Sequence, residues 1–136
     1  MGKIRMQDST LQDALKRFIE KGRRDPDLLA IFLFGSRVRG DEGPNSDVDI
    51  CLVLQPRRYT ELELSQKKLE YLKDFDFDVQ IYQQLPLYIR RRVLKEGKVL
   101  FCQDEDQLYQ LAFRTAQQFE DFRHIYYTYL QEVARG

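Results

Sequence analysis

An unbroken run of seven apolar residues at positions 28–34 constrains the fold of this chain more than any other feature. Asp-Pro-Asp at 25–27 precedes the run and Gly35 follows it. A run of this length between turn residues predicts a strand that is buried on both faces, in a sheet covered on both sides. A second strand is predicted over 47–54, because Gln55-Pro56 ends the next apolar stretch.

The remaining segments alternate between helical and strand patterns. Residues 10–23 predict a helix capped by Ser9 or Thr10, because apolar side chains recur there at helical spacing. Further elements are predicted as a helix over 60–73, a strand over 75–82, a helix from Pro86 to Lys95 ended by Gly97, and a strand over 98–102. This order predicts an α/β (α+β) fold with a small mixed sheet and flanking helices.

The C-terminal segment has a heptad pattern typical of one long helix. Its apolar positions are spaced alternately by four and three residues: Leu108, Ala112, Thr115, Phe119, Phe122, Tyr126, Tyr129 and Val133. About 30 helical residues would extend roughly 45 Å, whereas a domain of this size is only about 30 Å across. The seam therefore either covers the chain's own core or meets a partner or a second copy.

Composition limits the class of protein. The 136 residues suffice for one domain, and 22 Lys+Arg balance 22 Asp+Glu, which argues against nucleic-acid binding by bulk electrostatics. No apolar run reaches the length of a membrane span, and the first residues lack the apolar stretch of a signal peptide, so we expect a cytoplasmic protein.

Cys51 and Cys102 lie in strand-like runs and are interpreted as buried reduced thiols. His124, the only histidine, excludes a zinc cluster and a His-based nucleophile relay.

The loop between the first two predicted strands has the composition of a phosphate-binding turn. It begins at Gly35-Ser36, where glycine allows backbone N–H groups to approach phosphate oxygens closely. It is not a Walker A loop, because Asp41-Glu42 occupies the positions that require Lys-Ser/Thr, and it lacks the third glycine of a dinucleotide fingerprint. A solvated connector with two arginines would look similar, so the loop alone decides nothing.

Paired aspartates follow this loop. Asp47 and Asp49 alternate with apolar residues and therefore share one face of the second strand. Asp76 and Asp78 alternate in the same way on the third predicted strand. Neighbouring carboxylates repel unless a cation lies between them, and hard oxygen ligands suit Mg²⁺. The alternative interpretation is an acidic outer face of a half-exposed sheet.

These residues carry a family resemblance. Gly35-Ser36, ten further residues and Asp47-Val48-Asp49 resemble the signature of the DNA polymerase β-like nucleotidyltransferase superfamily, and a second block, Asp78-Val79-Gln80-Ile81 with 92–100, matches too. The chain is most similar to the minimal nucleotidyltransferases (MNT) that act as antitoxins of prokaryotic HEPN toxins. The resemblance covers about residues 10–102. It divides the chain into a nucleotidyltransferase core, 1–102, and a helical tail, 103–136, which either belongs to the same domain or binds a partner.

The resemblance also implies a site. Asp47, Asp49 and Asp78 would hold two Mg²⁺ ions, and Asp78 would help to deprotonate the acceptor hydroxyl; the family block favours Asp78 over Asp76. Gly35 and Ser36 would bind the β- and γ-phosphates of ATP, with Ser46 also in the nucleotide site. Arg37 and Arg39 are either phosphate or partner contacts or solvated loop residues.

The sequence says less about the acceptor of the nucleotide than about the type of reaction. Larger members of the superfamily carry an acceptor domain, whereas this chain has only its tail helix, so the resemblance favours transfer of AMP to a tyrosine of a HEPN-type helical toxin. The alternatives are a subunit that modifies a small molecule such as an aminoglycoside, and a binding module that neutralises its partner by contact alone. Neither a membrane nor a directly bound nucleic acid is expected as a partner.

Overall fold

The computed structural model describes residues 8–35 and 48–135, and side chains from Thr10 onward. Within these ranges the chain forms four α-helices, one short 3-10 helix and four strands. In chain order they are α1 (Asp8–Arg23), β1 (Leu28–Phe34), β2 (Asp49–Leu54), α2 (Glu61–Leu72), β3 (Asp78–Ile81), a 3-10 helix (Tyr82–Gln84), α3 (Leu87–Glu96), β4 (Lys98–Cys102) and α4 (Glu105–Arg135). The predicted order of elements and the α/β (α+β) class are confirmed.

The strands form one mixed sheet in the order β3-β2-β1-β4. β1 is antiparallel to both β2 and β4, whereas β2 and β3 are parallel. The parallel pair is joined through α2, the helical crossover that parallel neighbours require. β1 lies inside the sheet, which explains why its sequence is continuously apolar.

Helices cover both faces of the sheet. On one face, α1 and α2 pack on a core that includes Phe18, Ile31, Ile50 and Leu52, all with no exposed surface. On the other face, α3 and α4 pack on a second core that includes Cys51 and Val53. The alternation of Ile50, Cys51, Leu52 and Val53 between the two cores follows the pleat of β2.

Several predicted boundaries shift. α1 begins at Asp8, so the prediction that Ser9 or Thr10 caps it is wrong, because both residues lie within its first turn. β3 begins only at Asp78, three residues later than predicted. Phe75 and Phe77 instead pack edge-on against Phe18 of α1, with ring centroids 5.0 and 5.5 Å away.

Local sequence signals explain the ends of α2 and α3. Thr60 caps α2 in a capping box, in which its hydroxyl accepts from the Glu63 N–H and the Glu63 carboxylate accepts from the Thr60 N–H. Pro86 precedes α3 and Gly97 follows it, as predicted, and the Gly97 N–H donates to the Val93 carbonyl.

A half-buried ion pair joins the turn before β1 to α2. The Lys67 ammonium lies 3.0 Å from Asp25 Oδ2, and the two side chains are only 13% and 11% exposed. Tyr71 donates its hydroxyl to the same carboxylate oxygen at 2.9 Å, and Lys67 also pairs with Asp27 at 3.2 Å. These contacts hold the start of β1 against α2.

The long helix α4 divides into two parts. Its first three turns pack on the second core through Leu108, Leu111 and Thr115, and the hydroxyls of Thr115 and Tyr82 are hydrogen-bonded in the interior. Every residue from Glu120 to Arg135 is exposed, including Phe122 at 59% and Tyr129 at 63%. The heptad seam therefore covers the chain's own core at its beginning and projects beyond the domain at its end.

None of the described helices is long and apolar enough to cross a membrane.

Candidate active site

The two aspartates that begin β2 and β3 lie side by side. Asp49 pairs in register with Asp78, as Ile50 pairs with Val79 in the next position. Adjacent strands are about 4.8 Å apart, and paired residues project from the same face. Because Ile50 and Val79 point into the core beneath α1 and α2, Asp49 and Asp78 project from the opposite face, which carries α3 and α4.

Gly35 forms the third side of this site. It follows β1 directly, and the last residue of that strand, Phe34, pairs with Asp49. Gly35 has a φ of +86°, in the left-handed region that favours glycine. A Cβ at this position would lie 3.0 Å from Asp49 Cγ and would overlap Asp49 Oδ2. Glycine is thus required by backbone conformation and also by the closeness of the Asp49 carboxylate.

Two hydrogen bonds fix Asp78. Its N–H donates to the Val48 carbonyl at 2.9 Å, which sets the start of β3 beside the start of β2. Its carboxylate Oδ1 accepts from Gln80 Nε2 at 3.2 Å. Sequence reasoning did not single out Gln80, although a polar residue two positions after an aspartate in an apolar strand is placed to support it.

Asp76 lies apart from this arrangement. It precedes β3, its side chain is exposed, and it has no register partner on β2. The geometry thus places Asp78 rather than Asp76 beside Asp49.

The other predicted site residues, Ser36, Arg37, Arg39, Ser46 and Asp47, lie outside the described residues. Within residues 8–35 and 48–135, no group of three or more His, Cys, Asp or Glu side chains is arranged to hold a metal. Two members of the predicted aspartate triad are described, and they are adjacent.

The cysteines are unsuited to nucleophilic chemistry. Cys51 is fully buried on the same sheet face, beneath α3 and α4, and burial raises the pKa of its thiol far above the usual range. Cys102 is half-buried, and burial raises its pKa as well. Both thiols are free, as predicted. Chemistry at this face therefore rests on oxygen ligands rather than on sulfur.

A family model decides the assignment. The model described as "Polymerase beta, Nucleotidyltransferase" matches residues 16–106, which span β1 to β4 and both described site aspartates. The chain belongs to this nucleotidyltransferase family. The family assignment and the enzyme class that the sequence predicted are thereby confirmed.

This nucleotidyltransferase is also similar, over part of its length, to a named relative. The chain is 36% identical over 74 residues to a provisionally named protein adenylyltransferase of Methanocaldococcus jannaschii. The match covers 54% of this chain and 56% of that protein, so the chain spans little more than half the length of this relative.

Solved structures share the fold of this nucleotidyltransferase. A chain of a toxin–antitoxin crystal structure with AMP-PNP aligns with a TM-score of 0.64 and 19% identity, over 90% of this chain and 97% of that chain. A chain from the complex of the tri-AMPylated Shewanella oneidensis HEPN toxin with its MNT antitoxin aligns with a TM-score of 0.61 and 16% identity, over the same shares.

Proposed function

We propose that this protein transfers AMP from ATP to a tyrosine hydroxyl of a HEPN-type toxin in the cytoplasm, and so acts as its antitoxin. The observation that carries the proposal is the in-register pair of Asp49 and Asp78 beside Gly35. The adenylyltransferase relative and the toxin–antitoxin fold neighbours support the choice of AMP and of a protein acceptor.

The residues present fit Mg²⁺. Asp49 and Asp78 supply hard carboxylate oxygens from adjacent strands, and Asp47, two residues before Asp49 in the sequence, would supply a third carboxylate. Bound Mg²⁺, two ions in the family pattern, would neutralise charge on the phosphates and on the leaving group.

The chain's own residues would position the reactants. Gly35 allows the backbone to approach the β- and γ-phosphates, together with Ser36. Asp78, which accepts a hydrogen bond from Gln80, would accept the proton of the tyrosine hydroxyl. The hydroxyl oxygen then forms its bond to the α-phosphorus of ATP, and pyrophosphate leaves with the bridging oxygen.

We place the partner-binding surface on the exposed part of α4, residues 120–135. Phe122, Tyr126, Tyr129 and Val133 continue the core-facing stripe of the helix, yet each is at least half exposed. Exposed aromatic stripes of this size mark interaction surfaces. A helical toxin docked there would approach from the sheet face that carries Asp49 and Asp78.

The proposal is tested by intact-mass spectrometry after co-expression with a candidate HEPN protein. The wild-type chain should add the mass of one or more AMP groups to the toxin, and tryptic mapping should place them on tyrosine. Asp49→Asn should abolish the addition yet still co-purify with the toxin, because the α4 surface is unchanged. If Asp49→Asn relieves toxicity as well as wild type does, protection is by contact and the proposal is wrong.

The acceptor has one competing class. Unchanged toxin mass with every nucleotide, together with pyrophosphate release on addition of an aminoglycoside, would assign a small-molecule acceptor. The α4 surface could instead bind a second copy of this chain. Sedimentation of the purified protein alone tests this, because a dimer would then be observed in place of a monomer.

A further inference from the structure

Three tyrosines lie within four residues on the exposed end of α4, residues 120–135. Tyr126, Tyr127 and Tyr129 are 50%, 53% and 63% exposed. Within the part of the chain that the structure describes, none of their hydroxyls makes a hydrogen bond. The hydroxyl of Thr128, which lies between them in sequence, donates to the His124 carbonyl at 2.9 Å and is thereby held on its own helix. The three tyrosines therefore present free phenol groups to solvent.

The other tyrosines of the chain are less suited to enter the cleft of another molecule. The hydroxyls of three of them are hydrogen-bonded within the domain: Tyr59, Tyr71 and Tyr82. Tyr88 and Tyr109 are exposed, at 64% and 74%, but they lie on parts of α3 and α4 that pack on the second core. A hydroxyl there enters another molecule's cleft only if two whole domains come into close contact. The exposed end of α4 projects from the domain and has no such constraint.

Tyr127 differs from its neighbours in its surroundings. Tyr126 stacks on Phe122 within the apolar stripe that we assign to the partner, with ring centroids 6.3 Å apart. Tyr127 is one residue further and therefore lies about 100° around the helix, beside that stripe. The Arg123 guanidinium carbon, one turn earlier, lies 5.6 Å from the centroid of the Tyr127 ring. Arg123 also lies 3.7 Å from Glu120, in an exposed pair that water screens. A phosphoryl group on the Tyr127 hydroxyl would thus have a guanidinium nearby as its counter-ion.

We propose that Tyr127 is itself an acceptor of AMP, modified by the active site of a second copy of this chain. The inference rests on the proposed function, because it uses the same donor and the same acceptor group, a tyrosine hydroxyl. Every residue from Glu120 onward is exposed, so this end of α4 does not lie over its own site, and a second copy supplies the nucleotide.

The transfer to Tyr127 is balanced by the release of pyrophosphate. The Tyr127 oxygen forms a bond to the α-phosphorus of ATP, and the bond from that phosphorus to the bridging oxygen breaks. Pyrophosphate leaves with the bridging oxygen, and the phenol proton passes to Asp78 of the second copy. The product carries a phosphodiester with one negative charge beside Arg123.

The test is incubation of the purified full-length protein with Mg·ATP, without any toxin, followed by intact-mass spectrometry. Wild type should gain the mass of one AMP group. Trypsin cleaves after Arg123 and Arg135 and so releases residues 124–135, whose fragmentation should place the group on Tyr127. Tyr127→Phe should gain at least tenfold less AMP. Tyr109→Phe is the matched control on the same helix, since Tyr109 is more exposed than Tyr127, and it should stay within twofold of wild type.

A mixture of two variants tests whether the site and the acceptor belong to different copies. Tyr127→Phe keeps the site aspartates, whereas Asp49→Asn keeps Tyr127, and their masses can be resolved. AMP should appear on the Asp49→Asn copy in the mixture and not when that variant is incubated alone. The melting temperature of Tyr127→Phe should equal that of wild type, because the hydroxyl that it removes has no hydrogen-bond partner among the described residues. An unmodified mixture beside modified wild type would show transfer within one copy and overturn the inference.

The outcomes separate this inference from the proposed function. AMP on Tyr88 or Tyr109 in place of Tyr127, or equal loss of AMP in Tyr109→Phe, would overturn it. Wild type that modifies a co-expressed toxin but never itself would reject the inference and leave the proposed function intact. AMP on Tyr127 in a protein that never modifies the toxin would keep the inference and reject the toxin as acceptor. Absence of AMP from both proteins would reject both.

Discussion

Replacing Gly35 by alanine tests whether this glycine shapes the site. An alanine at a φ of +86° costs about 1–2 kcal/mol, because Cβ clashes with its own carbonyl in left-handed backbone. Overlap of the new Cβ with the Asp49 carboxylate adds about 1–3 kcal/mol, or displaces that carboxylate. We expect a loss of about 3 kcal/mol in the free energy of unfolding, which in a domain of this size lowers the melting temperature by roughly 10 °C.

Urea unfolding and thermal melts with and without Mg·ATP measure both consequences. The wild-type melting temperature should rise with Mg·ATP, whereas the rise should be absent in Gly35→Ala because Asp49 has moved. Gly22→Ala is the matched control: its Cβ would meet only flexible side-chain ends, Leu28 Cδ2 at 2.6 Å and Ile31 Cδ1 at 2.8 Å. Its strain is offset by a gain in helix propensity of about 1 kcal/mol. A Gly35→Ala protein with wild-type stability and the full Mg·ATP shift would refute this reasoning.

Three further predictions concern Asp78, the exposed end of α4 and the ion pair of Lys67. Asp78→Asn should lower the rate of AMP transfer more than a thousandfold, as measured by pyrophosphate release, whereas exposed Asp76→Asn should stay within about twofold. Deletion of residues 119–136 should leave a cooperatively melting core that fails to bind the partner in a pull-down; a loss of cooperative melting would show that the core needs this segment. Lys67→Met should cost about 3 kcal/mol in urea unfolding at pH 7, since it removes the counter-ion of the nearly buried Asp25 carboxylate. The Lys67 hydrogen bond also lowers the pKa of Asp27. The stability that comes from the Lys67–Asp27 contact is therefore fully present above the ordinary aspartate pKa of 3.8 and is lost as pH falls through the lower pKa of the folded state. The Lys67→Met variant should accordingly lose less stability on acidification than wild type does.

The order of elements could be predicted because each has a strong local signal. The continuous apolar run of β1 and the Thr60 capping box are examples, since both depend on residues near in sequence. The start of β3 could not be predicted in this way. Phe75 and Phe77 alternate as strand residues do, but packing against Phe18 of α1 holds them outside the ladder, and Phe18 is more than fifty residues away.

The sequence predicted the aspartates of the candidate site but not the residues that surround them. The parallel pairing of β2 and β3, which brings Asp49 beside Asp78, is a long-range property that the motif alone does not contain. The spacing of the aspartates in the sequence identified them as candidates, whereas the pairing of β2 with β3 determines which of them lie side by side.

The free end of α4 has a consequence for the lifetime of the protein. A helical segment of about 16 residues that are all exposed is marginally stable in water, so it opens locally far more often than the core does. Proteases cleave such opened segments first, and a bound partner would suppress that opening. The rate at which α4 is clipped would then report how much of the protein is in complex, and the unbound fraction would be removed faster than the bound one.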